Sequence, residues 1–267
     1  LLTTATRYIS FIKKILKGII MTTLIQLRQA LAHRQALKII SGLQNFDSAS
    51  VAMVVEAATL GGATFIDIAA DPDLIRQTKA QTNLPICVSA IAPEKLVEAI
   101  QAGADLVELG NYDSFYAQGR VFSGLEVIAL TKATRNLLPE TLLSVTVPHT
   151  LPLDQQVTLA EELVACGADI IQTEGGTSSN PAHSGILGLI EKAAPTLAAA
   201  YAISRAVSVP VLCASGLTDV TIPMAIASGA SGVGVGSAVN QLKDQIAMIA
   251  VVRSLRESLN AAKVISR

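Results

Sequence analysis

The chain has no tryptophan, and only four Tyr and five Phe among 267 residues, so the aromatic belts that seat membrane proteins at the lipid headgroups are poorly supplied. Charge is scarce as well, at 15% of residues, and neither sign dominates: 20 Lys and Arg against 21 Asp and Glu leave a net −1. That balance excludes a general electrostatic attraction to nucleic acid or to an anionic membrane, and any charged ligand must be met locally. Cysteine is limited to Cys87, Cys166 and Cys213, an odd number without CxxC spacing, which excludes a disulfide framework and a zinc ribbon and fits a reducing compartment. His33, His149 and His183 are far apart in sequence and form no HExxH-like pair, so no metal site is expected. A long uninterrupted hydrophobic run is missing too. The longest stretch without charge, Val220 to Leu242, contains Pro223, Gly229, Gly232, Gly234 and Gly236, and divides into a short helix, a turn and a strand rather than a membrane span.

What is present is apolar residue in quantity. Hydrophobic side chains make up 51% of the chain and mean hydropathy is +0.49, which excludes disorder and predicts a sizeable core. Residues Leu1 to Ile20 carry Arg7, Lys13, Lys14 and Lys17 without an acid, a composition open to a transit peptide. Met21 follows at once, so residues 1–21 are expected to be an added extension outside the fold, with one folded unit over 22–267.

From Ala36 onward, short apolar runs alternate with helix-period segments, the pattern of βαβ units around a parallel sheet. The predicted strands are Ala36–Gly42, Thr64–Ala70, Leu84–Ala90, Asp105–Asn111, Leu142–Pro148, Asp169–Gly175, Val209–Ser215 and Gly232–Ser237. A joint recurs between helix and strand: Gly61-Gly62-Ala63, Ala102-Gly103-Ala104, Cys166-Gly167-Ala168 and Ser228-Gly229-Ala230. Glycine is wanted there because the residue closing a helix commonly turns left-handed. Asp71-Pro72 offers an N-cap followed by a first-turn proline, and Ser123 with Glu126 has the spacing of a capping box. Eight strand–helix pairs in a chain of this length predict an α/β fold, a single (β/α)₈ TIM barrel of parallel strands. The alternative is an open doubly wound sheet, but its glycine fingerprint is absent after the first strand, where the chain reads Ser41-Gly42-Leu43-Gln44-Asn45.

In such a barrel ligands meet the C-terminal ends of the strands, and phosphate groups favour the loops after strands seven and eight. Cys213-Ala214-Ser215-Gly216 ends strand seven, Gly232-Val233-Gly234-Val235-Gly236-Ser237 forms strand eight, and Gly175-Gly176-Thr177-Ser178-Ser179 follows strand six. Gly175, Gly176, Thr177, Ser215, Gly216, Gly234, Gly236 and Ser237 are therefore candidates for holding a ligand phosphate through main-chain amides. The other reading of these glycines is tight packing and turn closure.

Strand alternation points Lys38, Asp67, Ser89, Glu108, Thr146, Gln172 and Glu174 into the lumen. Lys38, Asp67, Glu108 and Glu174 are candidates for proton transfer, and His149, at the end of strand five, joins them as a group that titrates near neutrality. Lys38 with Asp67 or Glu108 reads equally well as a structural ion pair, and surrounding carboxylates would keep the lysine protonated, against Schiff-base use. Asn111, Tyr112 and Asp113 end strand four, where they can either read a polar substrate or simply turn the chain. The segment Thr177–Pro195, with His183, reads as a lid or as a short helix.

These residues carry a resemblance. Lys38-Ile39-Ile40-Ser41-Gly42-Leu43 with Asn45-Phe46-Asp47, Gly61-Gly62-Ala63-Thr64 leading to Asp67-Ile68-Ala69-Ala70-Asp71-Pro72, Leu84-Pro85-Ile86-Cys87-Val88-Ser89, Gly103-Ala104-Asp105-Leu106-Val107-Glu108, Val147-Pro148-His149 and Gln172-Thr173-Glu174-Gly175-Gly176 are similar to the family of hypothetical chloroplast open reading frame 23. The likeness runs from about residue 34 to the C-terminus. It implies a phosphate-binding type of barrel in a cyanobacterial cytoplasm or plastid stroma, and carries over no catalytic assignment.

Three functions stay open on the sequence. The first is a small phosphorylated metabolite bound at the barrel mouth and acted on by acid/base chemistry of lyase or isomerase type. In the second, the same loops hold the phosphate of flavin mononucleotide in an oxidoreductase, against which the shortage of aromatic residues counts. The third is a non-catalytic barrel that senses a metabolite or binds a partner. The sequence does not name a cofactor or an oligomeric state.

Overall fold

The structure is a computed structural model that describes residues 23–176 and 179–265. The extension expected over residues 1–21 lies outside the described residues, as does Thr177. Helical residues 23–32 (α1) lead into β1 (Ala36–Ile40), α2 (Ser48–Gly61), β2 (Phe65–Ala69), α3 (Pro72–Gln81), β3 (Ile86–Ala90), α4 (Pro93–Ala102) and β4 (Leu106–Leu109). There follow α5 (Asp113–Tyr116), α6 (Gly124–Leu137), β5 (Leu143–Thr146), α7 (Leu153–Ala165), β6 (Ile170–Gln172) and α8 (Gly185–Ala206). The chain ends with β7 (Val211–Ala214), α9 (Ile222–Ala227), β8 (Gly232–Val235), α10 (Ser237–Asn240) and α11 (Gln245–Ile265). The strands pair in sequence order, all parallel, and β8 returns to β1, so the sheet closes as the (β/α)₈ barrel that the repeat predicts.

Strand alternation sorts the side chains into two environments. Leu37, Ile39, Ile66, Ile68, Ile86 and Val88 point outward and are buried beneath the helices. Their counterparts fill the lumen. At its N-terminal end, Ala36, Phe65, Cys87, Leu106, Leu142, Ile170 and Leu212 form one apolar layer, and α1 seals it with Leu27 and Leu31. The barrel floor is thus dry, and polar lumen residues are confined to the layers above it.

Closure depends on a small residue at the seam. In the β1–β8 register Ala36 faces Gly232, and a Cβ on Gly232 would lie 2.5 Å from the Ala36 carbonyl oxygen, too close for any side chain. The repeated joint forms as expected: Gly62, Gly103, Gly167 and Gly229 all have positive φ, from 84° to 114°.

Two local expectations change. Ser123 caps α6 by accepting from the Glu126 amide, but the Glu126 carboxylate does not return the bond; it accepts from Arg120 Nη2 at 2.9 Å, so half of the capping box forms. The segment Thr177–Pro195 holds no separate short helix in its described part, because α8 starts at Gly185 and continues through Pro195 to Ala206. Proline removes one amide from the ladder, and burial of Ala193, Thr196, Ala199, Ala200 and Ile203 keeps the helix continuous. Although α8 is long and apolar enough to cross a membrane, it packs against β7 and α7 in the helical layer.

Two predictions concern this framework. Asp71 accepts from the amides of Asp73 and Leu74 at 2.9 Å each, so Asp71→Ala should lower stability by about 1 kcal/mol, read as a lower urea midpoint at unchanged slope. Burial pushes the Cys213 thiol up to about 11 and the Cys87 thiol well above its ordinary value, so both are thiols rather than thiolates at pH 8. A disulfide reagent at that pH should titrate Cys166, which is only half-buried, and reach Cys87 and Cys213 after denaturation.

Candidate functional site

Above the apolar floor, β1, β2, β3, β4 and β6 each contribute one polar side chain, and β5 two, to a single connected network. Lys38 Nζ donates to Glu108 Oε2 at 2.9 Å and to Gln172 Oε1 at 3.0 Å, and lies 3.4 Å from Asp67 Oδ2. Glu108 also accepts from Ser144 Oγ and from Gln172 Nε2, both at 2.7 Å. Asp67 accepts from Ser89 Oγ at 2.7 Å and from Asn111 Nδ2 at 2.8 Å. Lys38, Asp67 and Glu108 are at most 1% exposed, so the charges are held entirely by protein groups.

Burial alone would lower the Lys38 pKa, but the charges of Asp67 and Glu108 outweigh it and raise it, so the ammonium is retained. One cation between two carboxylates leaves negative charge in excess. Burial raises the Asp67 pKa, Lys38 draws it back, and the charge of Glu108 adds to the rise. A lysine so paired is not a nucleophile for a carbonyl.

The cavity opens one layer higher. It has a volume of about 190 Å³, small beside the roughly 300–1,000 Å³ of clefts for drug-sized ligands. Gln172 links it to the network below, while Glu174, Asp113, Ser215, Gly216, Gly236 and Ser237 lie on its wall. Lys38, Asp67 and Glu108 do not reach it. Among the described residues no aromatic, lysine or arginine side chain lines the cavity.

Glu174 is the most constrained group on that wall. Its Oε1 accepts from the His149 amide at 3.2 Å, from His149 Nδ1 at 3.0 Å and from the Tyr116 hydroxyl, whereas its buried Oε2 has no partner. Tyr116 packs edge-on against the His149 ring, with centroids 4.9 Å apart. Burial raises the Glu174 pKa against the opposing pull of the His149 bond. Burial lowers that of His149, but the bond and charge of Glu174, with Asp113, outweigh it, and the net shift is upward. Next to this pair, Ser215 Oγ donates to Asp113 Oδ2 at 3.1 Å. Asn111 and Ser215 both hold positive φ, 62° and 75°, and both line the cavity, which places two strained non-glycine residues at the mouth.

The eight phosphate candidates separate into three groups. Ser215, Gly216, Gly236 and Ser237 line the cavity. Gly175, Gly176 and Gly234 stand behind it: a Cβ on Gly176 would lie 2.4 Å from Gly216 Cα, one on Gly175 2.9 Å from Pro195 Cβ, and one on Gly234 2.9 Å from Ala214 Cβ. These three glycines let the loops after β6 and β7 meet and the lumen wall close. Thr177 is not described. His183 does not line the cavity and pairs with Glu191 at 2.6 Å at the exposed start of α8.

Sequence reasoning did not single out Tyr116 or Asn240. Tyr116 follows strand four within Asp113–Tyr116, a stretch with no helical period long enough to register. Asn240 lines the cavity and donates from Nδ2 to the carbonyls of Ile40 and Ser41, both at 3.1 Å, clamping the β1 loop to the turn after β8.

Comparison with known proteins places this architecture. A family model described as "Protein of unknown function (DUF561)" matches residues 21–265. A relative from Cyanophora paradoxa, "Uncharacterized protein ycf23", is 44% identical over 241 residues, covering 88% of this chain and 97% of the relative. Among solved structures, a 3-hexulose-6-phosphate synthase matches with a TM-score of 0.59 at 18% identity, over 84% of this chain and 99% of that one. Thiamine phosphate pyrophosphorylase from Pyrococcus furiosus matches with a TM-score of 0.54 at 19% identity, over 86% and 98%. At such identities the solved structures share the fold with this chain.

Removing the central cation tests the network. Lys38→Met should leave Asp67 and Glu108 buried without their counter-ion and cost about 3–5 kcal/mol, measured by equilibrium urea unfolding. A loss below about 1 kcal/mol would show that the two carboxylates do not depend on the lysine.

Proposed function

Because the chain belongs to the family described as "Protein of unknown function (DUF561)", its activity has to be read from the mouth of its own barrel, and we propose that it binds a small phosphorylated metabolite there and acts on it by acid/base chemistry of lyase or isomerase type. The observation that carries this reading is the makeup of one small cavity. On one side lie the glycine and serine main chain of the β7 and β8 loops, Ser215, Gly216, Gly236 and Ser237; on the other, Asp113 and Glu174, the latter hydrogen-bonded to His149. Main-chain amides at Gly216, Gly236 and Ser237 give a phosphate a place to dock without a basic side chain. Asp113 and Glu174 face the remainder of the ligand, and Glu174 with its partner His149 takes part in proton transfer.

Lys38, Asp67 and Glu108 enter this proposal as the fixed charge beneath the site, acting through Gln172 and Asn111 rather than touching the ligand. Gly175, Gly176 and Gly234 enter it as the packing that shapes the loops. The two solved neighbours are named for phosphorylated compounds, which supports the ligand class by analogy of fold. The proposed working unit is residues 22–267, in a cyanobacterial cytoplasm or plastid stroma.

A melting-temperature screen of small phosphorylated metabolites against their dephosphorylated forms tests the reading. A true ligand at about 100 times its Kd adds about 2.7 kcal/mol, a rise of roughly 5–10 °C for a domain of this size. Gly236→Asp is the informative variant. Gly236 has φ −112° and ψ −84°, outside the ordinary α and β regions, and a Cβ there meets nothing nearer than 3.6 Å, so the variant should fold with about 1–3 kcal/mol less ligand-free stability yet repel the phosphate and lose at least tenfold in affinity. A ligand that stabilises both proteins equally would place the phosphate elsewhere.

A further inference from the structure

The cavity proposed to take a phosphorylated compound carries the wrong charge for it. Its described lining includes the carboxylates of Asp113 and Glu174 and no lysine or arginine, and Lys38 below is already engaged by two carboxylates. Main-chain amides on the β7 and β8 side can meet a phosphate, but the acids opposite would repel it. A cation between them would let both sides face the same ligand.

The side chains that would hold it are already together. One ligand atom each from Asp113, His149 and Glu174 lies within 4.8 Å of the other two, although the residues come from three different strand ends, after β4, β5 and β6. Glu174 supplies the independent sign that something is absent from this cluster. The residue is 3% exposed, its Oε1 is saturated by three donors, and its Oε2, also buried, has no partner. A buried carboxylate oxygen without a donor is costly and calls for a cation or a proton-bearing ligand.

We propose that Asp113, His149 and Glu174 form a binding site for a divalent transition ion, which the anionic ligand of the same cavity then bridges. Two carboxylates and an imidazole are a mixed oxygen and nitrogen set that suits Mn²⁺ or Zn²⁺ better than Ca²⁺, and three protein ligands leave positions open for water or a phosphate oxygen. The bond of Tyr116 to Oε1 holds the Glu174 carboxylate in one orientation, the part that partners of metal ligands commonly play. The cluster would then contribute to proton transfer by holding the ion and its water, whose pKa the ion lowers. This inference rests on the phosphorylated-ligand reading only for the second binding event; the ion site stands on the three side chains.

The test uses the full chain, stripped with chelator and titrated with Mn²⁺ alone, unbound ion being read from its solution electron paramagnetic resonance signal. One ion per chain is expected, weakened at least tenfold in Glu174→Gln and in Asp113→Asn, the latter on a half-buried residue that does not threaten folding. Glu191→Gln, which removes the carboxylate of the surface His183 pair, should bind as the native chain does. Absence of a stoichiometric ion, or equal binding by the native chain and both cavity variants, overturns the proposal. Inorganic phosphate is then titrated into ion-free and ion-loaded protein. Phosphate binding at least tenfold tighter with the ion supports both readings. A stoichiometric ion lost in the variants but without effect on phosphate upholds the ion site and overturns the bridged phosphate.

Discussion

The Lys38 ammonium between Asp67 and Glu108 is the interaction around which the upper half of this barrel is organised. A charge so deep in the lumen survives only if every neighbouring polar group is satisfied, and six strands contribute to that end: Lys38 from β1, Asp67 from β2, Ser89 from β3, Glu108 from β4, Ser144 and Thr146 from β5, and Gln172 from β6. Such a network restricts register, because slipping one strand by one residue would turn its polar member toward the helices and leave its partners unpaired in a buried layer. The dry floor below, sealed by α1, keeps water away from the lysine.

That layer also sets the geometry of the mouth. Asn111, held at positive φ, bonds back to Asp67 and Ser89 and so directs the chain after β4 over the lumen, bringing Asp113 and Tyr116 toward the end of β6. Gln172 spans the boundary, donating to Glu108 below while lining the cavity above. The candidate site is therefore supported by buried electrostatics, and its titratable groups are those of the upper layer, Asp113, His149 and Glu174, rather than the lysine. The division of labour is physical: a fully satisfied ion network has no capacity left for a ligand, whereas Glu174 retains one.

Particular residues show how far the sequence could be read. The four glycine joints identified the repeating unit because a left-handed helix end is a local demand that only the nearest neighbours impose. Lumen-facing Lys38, Asp67, Glu108 and Gln172 were legible from strand alternation alone. Their relative heights were not, since height depends on the stagger between strands: Lys38 pairs with Phe65 and with Gly234, a register that hydrophobic pattern does not encode. The glycines after β6 illustrate the same limit, because Gly176 answers to Gly216, a contact made across two loops and invisible in either one. Tyr116 gave no signal, as a lone tyrosine in a short turn resembles any other until the fold places it against Glu174 and His149.

By itself the sequence determined the alternation of strands and helices, the closed parallel barrel and the polar character of the lumen, all of which follow from periodicities and turn demands written within a few residues. Only the tertiary structure decided which charges are buried as a finished network and which carboxylate is left with an unsatisfied oxygen. That distinction turns on distances of a few ångströms between side chains from different strands, and desolvation makes those distances, rather than residue identity, decide what each charged group can do.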